Sequence, residues 1–133
     1  MATQRIDKPW GYEEILVNNG RYVVKRLTVK EGHRLSLQLH RVKYETWLVQ
    51  SGLGAITIGN SFSNCSAGKM FDIPPNTLHR VFAGKGDVVI LEVSTPELQD
   101  IVRIEDDYGR IRDEHRQKQP QKSRVQTAQA TGI

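Results

Sequence analysis

From Glu14 to about Thr95 the chain alternates between short runs of β-branched, aromatic and aliphatic residues and clusters of turn-forming ones. The runs are EEILV, RYVVKRLTVK, RLSLQLH, TWLVQ, GAITIG, KMFDI, HRVFA and DVVILEVST. Between them fall NNG at 18–20, EGH at 31–33, SG at 51–52, GNS at 59–61, PPN at 74–76 and GKG at 84–86. Helical periodicity has little support here, and eight short strands at this spacing predict an all-β antiparallel sandwich or barrel. After Pro96, ELQDIVRIEDDYGR is expected to supply a turn of helix and a closing strand or lid. The last run, EHRQKQPQKSRVQTAQATGI, has almost no apolar content with which to offset the entropy of ordering. The expected organisation is one barrel over residues 8–112 and a disordered tail over 113–133.

The strand RLSLQLH sends Leu35, Leu37 and Leu39 to one face and Arg34, Ser36, Gln38 and His40 to the other. A solvated strand has this pattern too, yet Arg, Ser, Gln and His are all able to bind a ligand or a metal. Lys25 is placed by alternation with Val23, Leu27 and Val29, on the apolar face of its strand, where it must either snorkel to solvent or meet an anion. Glu45 follows His40 by five residues across a plausible turn, so it can begin the neighbouring strand. His79 comes soon after the rigid Pro74–Pro75 turn. Imidazole with Gln and Glu oxygens makes a four-ligand set that fits zinc or, with open positions, Mn, Fe or Co.

Charge narrows the function classes. Residues 114–133 hold Arg116, Lys118, Lys122 and Arg124 against Glu114 alone, so three of the four net positive charges belong to the tail. The rest is nearly neutral, which argues against a nucleic-acid surface. Cys65 is the only cysteine; its neighbours Ser63, Asn64, Ser66, Ala67 and Gly68 read as a polar turn without an activating base. An intrachain disulfide is excluded, no stretch approaches the length of a membrane span, and a soluble cytoplasmic protein is the expectation. Trp10 and Trp47 are read as packing residues.

These segments resemble the cupin pattern. Gly32, His40, Glu45 and Gly52 follow the order of its first motif, with Val42 at the position of a second histidine. Gly68, Pro74, Asn76 and His79 follow the second, Asn76 replacing a glycine and tolerating left-handed backbone angles. More specifically, KPWGYEE at 8–14, LSLQLH at 35–40, YETWLVQSG at 44–52, IPPNTLHR at 73–80 and IVRIEDDYGR at 101–110 resemble the type II mannose-6-phosphate isomerase domain at the C-terminus of bifunctional mannose-1-phosphate guanylyltransferases. With no Gly-rich nucleotide loop before residue 8, a stand-alone isomerase-type cupin is expected.

The resemblance implies an antiparallel double-stranded β-helix, that is, a cupin or jelly-roll barrel. Gln38-x-His40 is similar to the Gln-x-His ligand pair of the other, zinc-dependent class of phosphomannose isomerase, which implies Gln38, His40, Glu45 and His79 as ligands of a divalent ion: Zn first, with Mn, Co, Fe and Ni as the others. The implied reaction is interconversion of mannose 6-phosphate and fructose 6-phosphate by proton transfer through an enediolate, with sugar phosphate as the small-molecule partner and a homodimer as the expected assembly. Lys25 and Arg34, and more weakly Arg80, are expected to cradle phosphate. Arg110 is expected either to act on substrate at the barrel mouth or to pair with Asp106 or Asp107. Glu92, sharing a face with Val88, Ile90 and Ser94, is expected to be a base or to orient Lys25. The competing expectations are a non-catalytic metal- and sugar-binding cupin and an Fe(II) oxygenase using His40, His79 and Glu45.

Overall fold

The alternation in RYVVKRLTVK is realised as a strand that buries Val23, Lys25, Leu27 and Val29 together and leaves Val24 and Arg26 half-exposed. The computed structural model of the chain describes residues 3–118. Its elements are β1 (Gln4–Lys8), β2 (Gly11–Asn18), β3 (Val23–Val29), β4 (Leu37–Leu39), β5 (Glu45–Ile58), β6 (Ser61–Cys65), β7 (Met70–Ile73), β8 (His79–Ser94), β9 (Val102–Glu105) and α1 (Arg110–Lys118). Every strand pairing is antiparallel.

β5 and β8 organise the rest. They pair along their length, from Glu45 opposite Ser94 to Ile58 opposite His79, with register shifts between Val49 and Gly54. On one side of these shifts β8 pairs with β3 and β5 with β7; on the other, β8 pairs with β4 and β5 with β6. β2 and β1 extend the first half and β9 the second, so the sheet curls over a shared interior.

SG at 51–52 and GKG at 84–86 are therefore corners within continuous strands and not chain reversals. Gly52 shows why: its φ is +96° and a Cβ there would fall 2.2 Å from the Asp87 carbonyl oxygen. Bulged, close-packed backbone of this kind bends a strand without ending it.

Leu27, Val29, Trp47, Val49, Ile56, Val81, Val88 and Ile90 fill the interior. Trp10 and Trp47 are both buried, as expected of packing residues. Of the polar run around Cys65, Ser63 and Asn64 belong to strand β6, paired with β5, while Ala67 and Gly68 form the expected turn after it. Burial pushes the Cys65 thiol up, which leaves it a packing residue. β1 lies N-terminal to the expected barrel start, and α1 runs across the expected boundary at 112. The remainder of the expected tail lies outside the described residues.

Candidate metal centre and cavity

His40 ends the β4 segment, Glu45 begins β5 and His79 begins β8. Two local devices bring them together. The Pro74–Pro75 turn closes through Asn76, whose φ of 61° is the one positive value outside glycine among the described residues, and whose N–H donates to the His40 carbonyl at 2.6 Å. The link from His40 to Glu45 is gathered by Asp100, whose carboxylate accepts the N–H groups of Arg41, Val42 and Lys43 at 3.0, 2.8 and 2.9 Å. Burial acts to raise the Asp100 pKa, and these three amides outweigh it and hold the carboxyl below its usual range.

The three side chains meet in the buried interior. His40 Nε2 lies 2.8 Å and His79 Nε2 3.2 Å from Glu45 Oε2. The opposite ring nitrogens are committed: Nδ1 of His40 donates to the Asp100 carbonyl and Nδ1 of His79 to the Thr77 carbonyl. With Nδ1 protonated on both neutral rings, each Nε2 carries a lone pair. Those two nitrogens and Glu45 Oε2 are buried without a hydrogen-bond partner. Three acceptors facing one another with no donor among them cost several kcal/mol unless a cation sits between them. The donor set, with ligand atoms all within 4.8 Å of one another, fits a divalent ion such as zinc.

Two carboxyl groups, Glu45 and Glu92, share the indole N–H of Trp47 below. Trp47 Nε1 donates to Glu92 Oε1 at 3.2 Å and, more weakly, to Glu45 Oε1 at 3.4 Å. Burial, then the charge of Glu45, pushes the Glu92 pKa well above the ordinary carboxylate value. Burial acts against ionisation of Glu45 as well, but the polar side chains of His40, His79 and Glu92 around its carboxyl and the charge of Lys43 hold it below the usual carboxylate range. Lys43, itself buried, places Nζ 3.8 Å from Glu45 Oε1.

A cavity of about 560 Å³ opens above this group, a volume suited to a small ligand. Gln38 lines it, opposite His79 across the β4–β8 pairing, and its amide oxygen accepts from Ser36 Oγ at 2.7 Å. Lys25, Glu92 and Arg110 also line it. Lys25 meets an anion, Glu13 at 3.4 Å, and not Glu92. Arg110 is gripped bidentate by Asp106 at 3.0 and 2.8 Å while still facing the cavity, so both of its expected roles have a structural basis.

Arg34 and Arg80 do not line the cavity. Arg34 pairs bidentate with Asp107 at 2.7 and 2.8 Å, and Arg80 binds Glu105 at 2.7 Å and the Leu35 carbonyl at 3.0 Å. Strict alternation misplaced Arg34 because β4 is only Leu37–Leu39 and its register with β9 shifts between Leu37 and Gln38. Leu35 consequently lines the cavity beside Gln38, on what alternation makes the opposite face. Sequence reasoning passed over Lys8, Lys43, Arg103 and Asp100; only the basic character of the first three is a signal in the sequence.

Residues 1–106 match the family described as mannose-6-phosphate isomerase C-terminal. The chain belongs to that family. It is 36% identical over 111 residues to the xanthan biosynthesis protein XanB of Xanthomonas campestris, covering 80% of this chain and 24% of that protein. It is 35% identical over 112 residues to the mannose-1-phosphate guanylyltransferase ManC of Salmonella typhimurium, covering 81% of this chain and 23% of that one. The chain thus spans about a quarter of the length of these curated relatives. Among solved structures, a cupin-2 domain from Rhodospirillum rubrum superposes with a TM-score of 0.70 at 12% identity, over 84% of this chain and 82% of that chain. That likeness establishes the cupin fold, a double-stranded β-helix.

Within the cupin frame Val42 ceases to be a gap in the metal centre. It is 66% exposed in the turn gathered by Asp100, whereas Gln38 lies within β4 opposite His79 and His40 directly follows that strand. Among the described residues no helix is long and apolar enough to cross a membrane.

Proposed function

We propose that this cupin domain is a metal-dependent sugar-phosphate isomerase that interconverts mannose 6-phosphate and fructose 6-phosphate in the cytoplasm. The reading rests on the family membership and, above all, on one observation: the partnerless lone pairs of His40, His79 and Glu45, the last of which opens onto a cation-lined cavity. His40, Glu45 and His79, with Gln38 beside them, would hold the ion. A bound divalent cation, zinc foremost, supplies Lewis-acid stabilisation of the negative charge that develops on sugar oxygen in an enediolate.

The chain's own residues do the rest. The Thr77 and Asp100 carbonyls fix the tautomers of His79 and His40. Glu92, whose pKa burial and the neighbouring Glu45 charge push up, is the group beside Glu45 suited to hold a proton for the reaction. Lys43 faces the cavity with its Nζ 3.8 Å from Glu45 Oε1, where its positive charge sits beside the reacting end of the sugar. The apolar walls, Trp10, Leu27, Leu35 and Trp47, exclude water from the enediolate.

The test is a coupled assay for fructose 6-phosphate with metal-loaded protein. Turnover lost in His40→Ala and retained in Val42→Ala supports isomerisation. No turnover by fully metallated protein that still binds mannose 6-phosphate leaves the second reading, a metal- and sugar-binding module. That reading has its own support in Glu92, the carboxyl beside Glu45, whose pKa burial pushes well above the range of an ordinary general base. Oxygen uptake with Fe(II) would instead point to an oxygenase.

A further inference from the structure

Four cationic side chains line the cavity from separate parts of the fold. Lys8 of β1 and Lys25 of β3 both approach the same oxygen, Glu13 Oε1, at 3.9 and 3.4 Å. Arg110 of α1 is held by Asp106, and Arg103 of β9 is paired with Glu114 of α1. Three carboxylates therefore serve four cations, and the buried Nε–H of Arg103 has no acceptor. Lys8 responds to this crowding. Burial lowers its pKa, Glu13 opposes the shift, and Lys25, Arg103 and Arg110 lower it further.

Sheet register sets the distance between this cluster and the metal centre. Arg103, Gln38 and His79 are successive cross-strand partners on β9, β4 and β8, so they share the interior face. At about 4.8 Å per strand, Arg103 is rooted roughly 10 Å from His79. In the other half, Lys25 stands opposite Glu92, which stands opposite Trp47. An extended hexose phosphate fits this span with C1 and C2 at the floor and the phosphate at the mouth.

We propose that Lys8, Lys25, Arg103 and Arg110 form a phosphate-ester subsite in which the Glu114 carboxylate is the resident counter-ion, displaced when the ester enters. The identity of the ester as a hexose 6-phosphate rests on the function proposed above; the anion site itself rests on the geometry. Arg103 exchanges one carboxylate oxygen for a phosphate dianion that it can grip bidentate, using the Nε–H now without an acceptor. Because Glu114 competes for that place, removing its charge and removing the charge of Arg103 must act in opposite directions.

Calorimetric titration of metal-loaded protein with mannose 6-phosphate, mannose and inorganic phosphate tests this. Arg103→Gln is expected to weaken mannose 6-phosphate binding about ten-fold or more, with mannose binding and metal content unchanged. Glu114→Gln is expected to tighten mannose 6-phosphate and inorganic phosphate about three-fold or more, a gain that misfolding cannot produce. Unchanged affinity in Arg103→Gln, weaker binding in Glu114→Gln, or a wild-type protein that does not prefer mannose 6-phosphate to mannose would each overturn the subsite. Failure of the isomerase reading looks different: wild-type binding and both variant effects remain, without turnover.

Discussion

Along three adjacent strands the same interior face changes chemistry toward one end of the barrel, on β5 one inward position later than on β3 and β8. β3 runs inward-facing Val29, Leu27 and then Lys25; β8 runs Val88, Ile90 and then Glu92; β5 runs Val49, Trp47 and then Glu45. One end is a dry apolar plug and the other a floor of ionisable groups that are almost as deeply buried. Apolar burial stabilises the first end, at roughly 25 cal/mol per Å². The second end forgoes that gain and adds desolvation costs, which the fold offsets with hydrogen bonds and, under the proposed function, with a cation held by the His–Glu group. Stability and chemistry should therefore separate along the barrel axis.

The largest expected effect is at the apolar end. Ile90→Ala leaves a cavity where nothing can collapse inward, and should cost about 2–5 kcal/mol in urea unfolding while metal bound per folded molecule stays the same. At the polar end the sign reverses for the metal-free protein. Glu45→Gln replaces one acceptor with an amide donor facing two Nε2 lone pairs, so metal affinity should fall about 100-fold or more while metal-free stability holds or rises by about 1 kcal/mol. Metal titration followed by thermal melts reads both.

Asp100 should sit between these extremes. Asp100→Ala frees the three amides of the His40–Glu45 link without touching a proposed ligand, and a roughly ten-fold loss of metal affinity is expected from the loosened geometry. The smallest effect is at the outer strap. Asp106 and Asp107 titrate below their ordinary value near 3.8: burial opposes the shift at Asp106 and Arg110 outweighs it, while at Asp107 the hydrogen bond from Arg34 leads. Depressed carboxylates contribute stability that is complete above that ordinary value and disappears as pH falls through the folded value. Asp106→Asn should therefore be slightly less stable at pH 7 and lose less between pH 5 and pH 3 by acid-unfolding measurements.

The apolar plug was the more legible of the two ends. Period-2 runs located the cores of β2, β3, β5, β7 and β8, because local alternation is all that a half-buried strand requires. It failed where the backbone is irregular. Glycines that bend β5 and β8 look the same in sequence as glycines that reverse a chain, and the bulge in β4 moved Arg34 out to Asp107. Polar strands such as β1 and β6 carry too little apolar signal to be seen. His40, Glu45, His79 and the left-handed Asn76 were legible through motif spacing. Asp100 and Arg103 were not, since Asp100 bonds the His40–Glu45 link across 57–60 positions and Arg103 meets Gln38 only by register.

The most direct test of the metal centre is elemental analysis of protein purified and re-equilibrated with zinc, alongside His40→Ala, His79→Ala and Val42→Ala, with circular dichroism to verify folding. A centre built from His40, Glu45 and His79 requires near-stoichiometric metal in the wild-type protein and Val42→Ala, and a loss of most of it in folded His40→Ala and His79→Ala. Equal metal in all four proteins would contradict it.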